Sequence, residues 1–242
     1  MAHTGAPQVV TIKQDGGIGL FGTPVRGPKA IAPSLTDKPG DATFDPIYSS
    51  KNIPQLDVRG LKVTRTKNQL VIHVSESTLA NLSKATGATG AAAIDWVARW
   101  DGPATKKAPG TAGLSNPIYY AAAETTGSGS PSFFAGLARS VELCSVSGCF
   151  PHILEYPEPP YAGTSIKGKL VKTKGPKPDF WILRVPLKLI GSPKPGKLLE
   201  DFGVYDFARN KPANVPMTNS EAQGGITPIM VDGACCTDVK LR

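Results

Sequence analysis

The stretch Leu56-Asp57-Val58-Arg59-Gly60-Leu61-Lys62-Val63, the link Thr66-Lys67-Asn68-Gln69 and the stretch Leu70-Val71-Ile72-His73-Val74 decide the fold. Leu56, Val58, Leu61 and Val63 on one side of the link, and Leu70, Ile72 and Val74 on the other, alternate with polar or smaller residues at the strand period. This predicts a β-hairpin. Outward from it, the same reading gives strands at Ile94 to Trp100, Ile118 to Glu124, Phe133 to Arg139, Ser165 to Lys172, Phe180 to Leu187 and Leu199 to Phe207, and a terminal strand at Cys235 to Leu241. Helix signals are sparse. Only Ser77 to Lys84 combines a capping serine with leucines three apart, at Leu79 and Leu82.

Composition agrees with that reading. The 242 residues include 26 glycines and 23 prolines, roughly one in five against about one in eight on average, which disfavours long helices and helical repeats. No apolar run approaches the ~18 residues of a membrane span. Short strands, Gly/Pro/Ser-rich links and no helix long enough to connect parallel strands predict an all-β protein, an antiparallel β-sandwich of jelly-roll or immunoglobulin-like type. The expected organisation is an N-terminal arm over 1–54, with a short strand at Val9 to Ile12, then a sandwich over 55–209. Residues 210–242 form a loop excursion and the strand that closes the sandwich. Ordering arms rich in proline and glycine costs about 1–2 kcal/mol per residue of backbone entropy, so they must pack on their own domain or on a neighbouring subunit.

Several short motifs occur in a fixed order: Thr36-Asp37-Lys38-Pro39-Gly40-Asp41-Ala42, Gln55-Leu56-Asp57-Val58, the hairpin, Trp96-x-x-x-Trp100, Tyr119 to Glu124, Phe133 to Gly136 and Ile182 to Pro186. From about Ser34 to Phe207 this order resembles the family-9 carbohydrate-binding-module and DOMON-like β-sandwiches, especially those appended to secreted bacterial hydrolases and subtilisin-like proteases. The resemblance implies an extracellular, non-catalytic module that binds carbohydrate or another small ligand. It also implies a pair of tryptophans bracketing the ligand and a structural calcium ion near the first motif.

Alternation in Ile94 to Trp100 puts Ile94, Trp96, Ala98 and Trp100 on one face and Asp95, Val97 and Arg99 on the other. Two readings stand. The tryptophans are core, in company with Ile94 and Ala98; or Trp100 at the strand end stacks on a sugar with Arg99 or Asp95 supplying a polar contact. Trp181 from another strand would then complete the platform, because residues four apart in one strand cannot sandwich a ring. Asp37, Asp41 and Asp57 likewise have two readings: oxygen ligands for Ca2+ around a Pro-Gly turn that exposes carbonyls, or Asx-turn residues.

Lys167, Lys169, Lys172, Lys174 and Lys177 mark a basic hairpin. A solvated sheet face accounts for it, an acidic polysaccharide is an alternative, and nucleic acid is disfavoured because aromatics are not interleaved. His3, His73 and His152 assemble no catalytic motif, so no enzyme is expected.

Met1 to Pro7 shows no secretory signal. Cys144-x4-Cys149 and Cys235-Cys236 suit oxidised pairs, which points to an exported protein whose leader lies outside this sequence. Cys144 with Cys149 is the expected bridge, while Cys235 and Cys236 pair with each other or cross-link to the first two. The expected function is a secreted carbohydrate-binding module. The alternative is a structural subunit whose arms pack on neighbouring copies as a homo-oligomer or filament.

Overall fold

The structure, a computed structural model, describes residues 34–42, 51–102, 117–137, 139–145, 148–155, 163–209, 211–212 and 229–242. Its strands are β1 (Ser34–Thr36), β2 (Val58–Arg65), β3 (Gln69–Glu76), β4 (Ala93–Asp101), β5 (Ile118–Thr125), β6 (Ser132–Leu137), β7 (Arg139–Ser145), β8 (Gly148–Glu155), β9 (Thr164–Ser165), β10 (Lys167–Val171), β11 (Asp179–Pro186), β12 (Leu198–Arg209) and β13 (Ile229–Lys240), with one α-helix, α1 (Ser83–Thr89). All pairings are antiparallel. One sheet has the order β1-β2-β3-β11-β10, a second the order β13-β12-β4-β5-β6-β9, and β7 and β8 form a separate hairpin. The expected antiparallel sandwich is therefore what the chain forms. No helix among the described residues is long and apolar enough to cross a membrane.

The core lies between the two large sheets, where the inward positions of each strand meet. Leu61, Val63, Leu70, Ile72, Val74, Leu183 and Val185 of the first sheet face Ile94, Trp96, Ala98, Trp100, Ala121 and Val204 of the second. Trp96 and Trp181 meet across this gap with ring centroids 4.8 Å apart, and Trp100 stacks on Phe202 at 4.8 Å.

Several boundaries differ from those expected, each for a physical reason. The expected helix at Ser77 to Lys84 begins only at Ser83. Before it, Asp179 takes the N–H of Leu79 at 2.7 Å and the hydroxyl of Thr78 at 3.2 Å, tying that stretch to β11 instead. The segment expected as an arm contains β1, which pairs with β2 through Thr36 and Gly60. The terminal strand starts at Ile229 and runs the full length of β12. The expected short strand at Val9 to Ile12 and most of the two excursions lie outside the described residues.

Cys235 and its neighbour Cys236 bring their sulfurs into close contact. Cys144 stands directly opposite Cys149 in the β7–β8 register.

Candidate metal centre

Strand pairing brings acidic side chains from five parts of the chain to the same end of the sandwich. Leu70, Ile72 and Val74 are fully buried inward residues of β3, and two positions further the same inward face carries Glu76. On β12, Val204 and Ala208 face the core, so Asp206 between them does too; its cross-strand partners are Trp96 on β4 and Asp232 on β13. Strand β1 ends at Thr36, which sets Asp37 beside them. That docking depends on Gly60, a bulge residue at φ 146° where a Cβ would collide with the Leu35 carbonyl. Asp41 follows the Pro39-Gly40 turn, whose loop is closed by an Ile53 N–H to Ala42 carbonyl bond of 2.8 Å.

One carboxylate oxygen from each of Asp37, Asp41 and Asp232 lies within 4.8 Å of the others. Oxygens on opposite sides of a Ca2+ ion, at ~2.3–2.6 Å from it, are about 4.6–5.2 Å apart, so the three can share one such ion as they stand. Asp41 has no donor on either carboxylate oxygen. Asp37 accepts the Lys38 N–H at 2.8 Å through Oδ1, and Asp232 accepts the N–H groups of Val58 at 2.9 Å and Gly233 at 2.8 Å. Behind this triad, Glu76 and Asp206 are completely buried, and none of their four carboxylate oxygens has a donor. They lie close enough to hydrogen-bond one another, which two ionised carboxylates cannot do; a bond exists there only with a shared proton.

Of the expected ligands Asp37, Asp41 and Asp57, the structure brings Asp37 and Asp41 together with Asp232, while Asp57 stands apart. Asp57 is occupied by protein donors: the Gly40 N–H at 2.9 and 3.1 Å, the Ser77 hydroxyl at 2.7 Å and the Asn52 amide at 3.2 Å. It holds the Pro-Gly turn in place, and Asp232 takes its place in the triad. Asp37 takes the N–H of the next residue, Lys38, rather than one two residues on as an Asx-turn requires, and neither Asp41 oxygen caps a turn.

Electrostatics at this end are one-sided. Burial pushes the Asp37 carboxyl up to about 6, with Asp41 and Asp57 adding to the shift, and pushes Asp232 up to about 7, with Asp37 and Asp41 adding there. Asp41 is raised by burial and then by Asp57. Glu76 and Asp206 are raised far above the carboxylate range by desolvation, with Asp232 and Asp57 adding to both. Two other buried carboxylates among the described residues do have donors. Asp95 is paired with Arg209 at 3.0 Å. Asp179 is held below the usual range, despite desolvation, by the Leu79 and Thr173 N–H groups and the Thr78 hydroxyl. Burying an unpaired charge costs several kcal/mol, so a cluster of carboxylates without donors is a cation's coordination shell or a set of protonated acids.

The sugar-platform residues take different places. Trp96, Trp100 and Trp181 are 0% exposed, and the Trp96 indole N–H is spent on the Gln55 carbonyl at 3.0 Å. A sugar needs a ring face open to solvent, so the core reading of the three tryptophans holds and the platform reading does not. Arg99 is half-buried on the opposite face of β4 from Trp100. Sequence reasoning missed Glu76, Asp206 and Asp232. The available signal was a charged residue standing in the apolar register of a strand, two positions after Val74, two after Val204 and next to Val231.

No model of a known protein family matches this chain, and no curated protein matches it.

Proposed function

We propose that this protein is a non-catalytic β-sandwich module of an exported protein, organised by a structural Ca2+ ion. Asp37, Asp41 and Asp232 hold the ion, with Glu76 and Asp206 closing the site from the core side. The observation that carries this reading is the meeting of a three-carboxylate triad with two wholly buried carboxyls that have no partner among the described residues except each other. The ion displaces the protons that otherwise hold these carboxyls neutral. It also ties three separate pieces of chain together: the end of β1, the Pro-Gly turn and β13. Calcium suits the donor set because all the groups are hard oxygens and the loop is free to supply carbonyls and water, whereas Mg2+ demands a tighter octahedron at ~2.0–2.1 Å. Export fits both the millimolar calcium tolerance of extracellular modules and the close approach of Cys235 to Cys236.

Isothermal titration of chelator-stripped protein with CaCl2 tests the reading. A saturable heat with Asp41→Asn binding at least tenfold more weakly supports it; absence of heat for the wild-type chain rejects it. As a carbohydrate binder the module would use a surface other than its tryptophans.

A further inference from the structure

The first sheet has a second face, turned away from the core. Register assigns it without ambiguity. Lys62 pairs with His73, His73 with Ile182, and Ile182 with Lys169, making one row across four strands. The adjacent row runs Thr64, Val71, Arg184, Lys167. The neighbouring inward positions Leu61, Val63, Ile72, Val74, Trp181 and Leu183 are all core, so these two rows point out. Lys62, Lys167 and Lys169 are exposed and Arg184 is half-exposed. No Asp or Glu occupies an outward position of β2, β3, β10 or β11.

The arrangement is more than a solvated edge. Basic side chains stand on both flanks, on β2 and on β10, about 14 Å apart at ~4.8 Å per strand step. Between them stand Val71 and Ile182, which their neighbours leave only 6% and 8% exposed, and the half-buried stacked pair His73 and Phe180, whose ring centroids are 5.3 Å apart with planes at 17°. Burial, and then the charges of Lys62 and Arg184, lower the His73 pKa.

We infer that this outward face binds an acidic polysaccharide, with Lys62, Lys167, Lys169 and Arg184 holding its carboxylate or sulfate groups and a sugar ring lying against the exposed part of Phe180. Three of the face's four cations are lysines, whose ammonium groups meet anions as point charges rather than as the planar fork that favours phosphate. Its two rings stack on each other instead of standing apart to receive bases, which argues against single-stranded nucleic acid. The inference is independent of the metal centre, which lies between the sheets at their end.

Affinity electrophoresis and biolayer interferometry of the full chain test it. The probes are polygalacturonate and dextran sulfate, with neutral dextran and oligo-dT for comparison, each in the presence and absence of chelator. Binding to both acidic glycans, weakened by salt and by roughly tenfold in Lys167→Glu/Lys169→Glu, is expected. The control Lys194→Glu/Lys197→Glu changes the same net charge elsewhere on the surface and should leave binding nearly intact; matching melting curves show that both variants fold. No binding to either acidic glycan, equal losses in the two double variants, or tighter binding of oligo-dT through Lys167 and Lys169 would overturn the inference. Asp41→Asn should bind the glycans as the wild type does, so failure of the metal centre and failure of this surface are separable.

Discussion

At the scale of single residues, Asp57 and Asp41 show how similar acids in one loop divide their work. Asp57 is surrounded by donors and organises the turn; Asp41 has none and faces the other carboxylates. Asp57→Asn is therefore expected to lower thermal stability with calcium present or absent, by about 1–3 kcal/mol for the broken charge-assisted bonds. Asp41→Asn should remove most of the calcium-dependent stabilisation while leaving the chelated protein as stable as the wild type, or more so. Differential scanning calorimetry with and without chelator separates the two. Trp100→Ala should cost about 3–5 kcal/mol as a core truncation, read as a lower denaturant midpoint with no calcium or glycan dependence. The inward rows of each strand were legible from alternation, and so was the acidic character of the first loop. Asp232 was not, because strand pairing alone brings it to a triad whose other members lie nearly the whole chain away.

At the scale of elements, the docking of β1 onto β2 positions Asp37, and Gly60 permits it. Gly60→Ala is expected to push β1 off the sheet edge. Hydrogen exchange should then speed up at Leu35 to Asp37 and calcium should bind more weakly, while β3 and β11 keep their protection. Unchanged exchange in β1 would remove Gly60 from the account. The β7–β8 hairpin sets Cys144 against Cys149, and directly opposed antiparallel residues have Cα separations of ~4.5–5.5 Å, within the range a disulfide spans. Non-reducing peptide mapping should recover these two as a linked pair, separate from Cys235 and Cys236. Strand order was the part of the fold least available to sequence. Period 2 identifies a strand and its buried face, but which strands neighbour one another depends on long-range pairing such as β3 with β11 and β12 with β4.

At the scale of the whole molecule, the raised carboxyls at the end of the sandwich link stability to pH and to cation. A carboxyl whose folded-state pKa lies above its unfolded value binds more protons folded than unfolded, so its contribution falls as pH rises through that interval. With Asp37 raised to about 6 and Asp232 to about 7, the chelated protein should lose stability between about pH 4 and pH 7. Calcium, which favours the ionised groups, should restore it at the neutral end. The most direct test is the melting temperature at pH 7.5 across a calcium titration from chelator to millimolar. A ligand bound only by the folded chain stabilises it by ~2.7 kcal/mol at a hundredfold excess over Kd. A saturable rise in melting temperature, absent in Asp41→Asn, is the predicted result; a melting temperature that does not move between chelator and millimolar calcium would contradict the account.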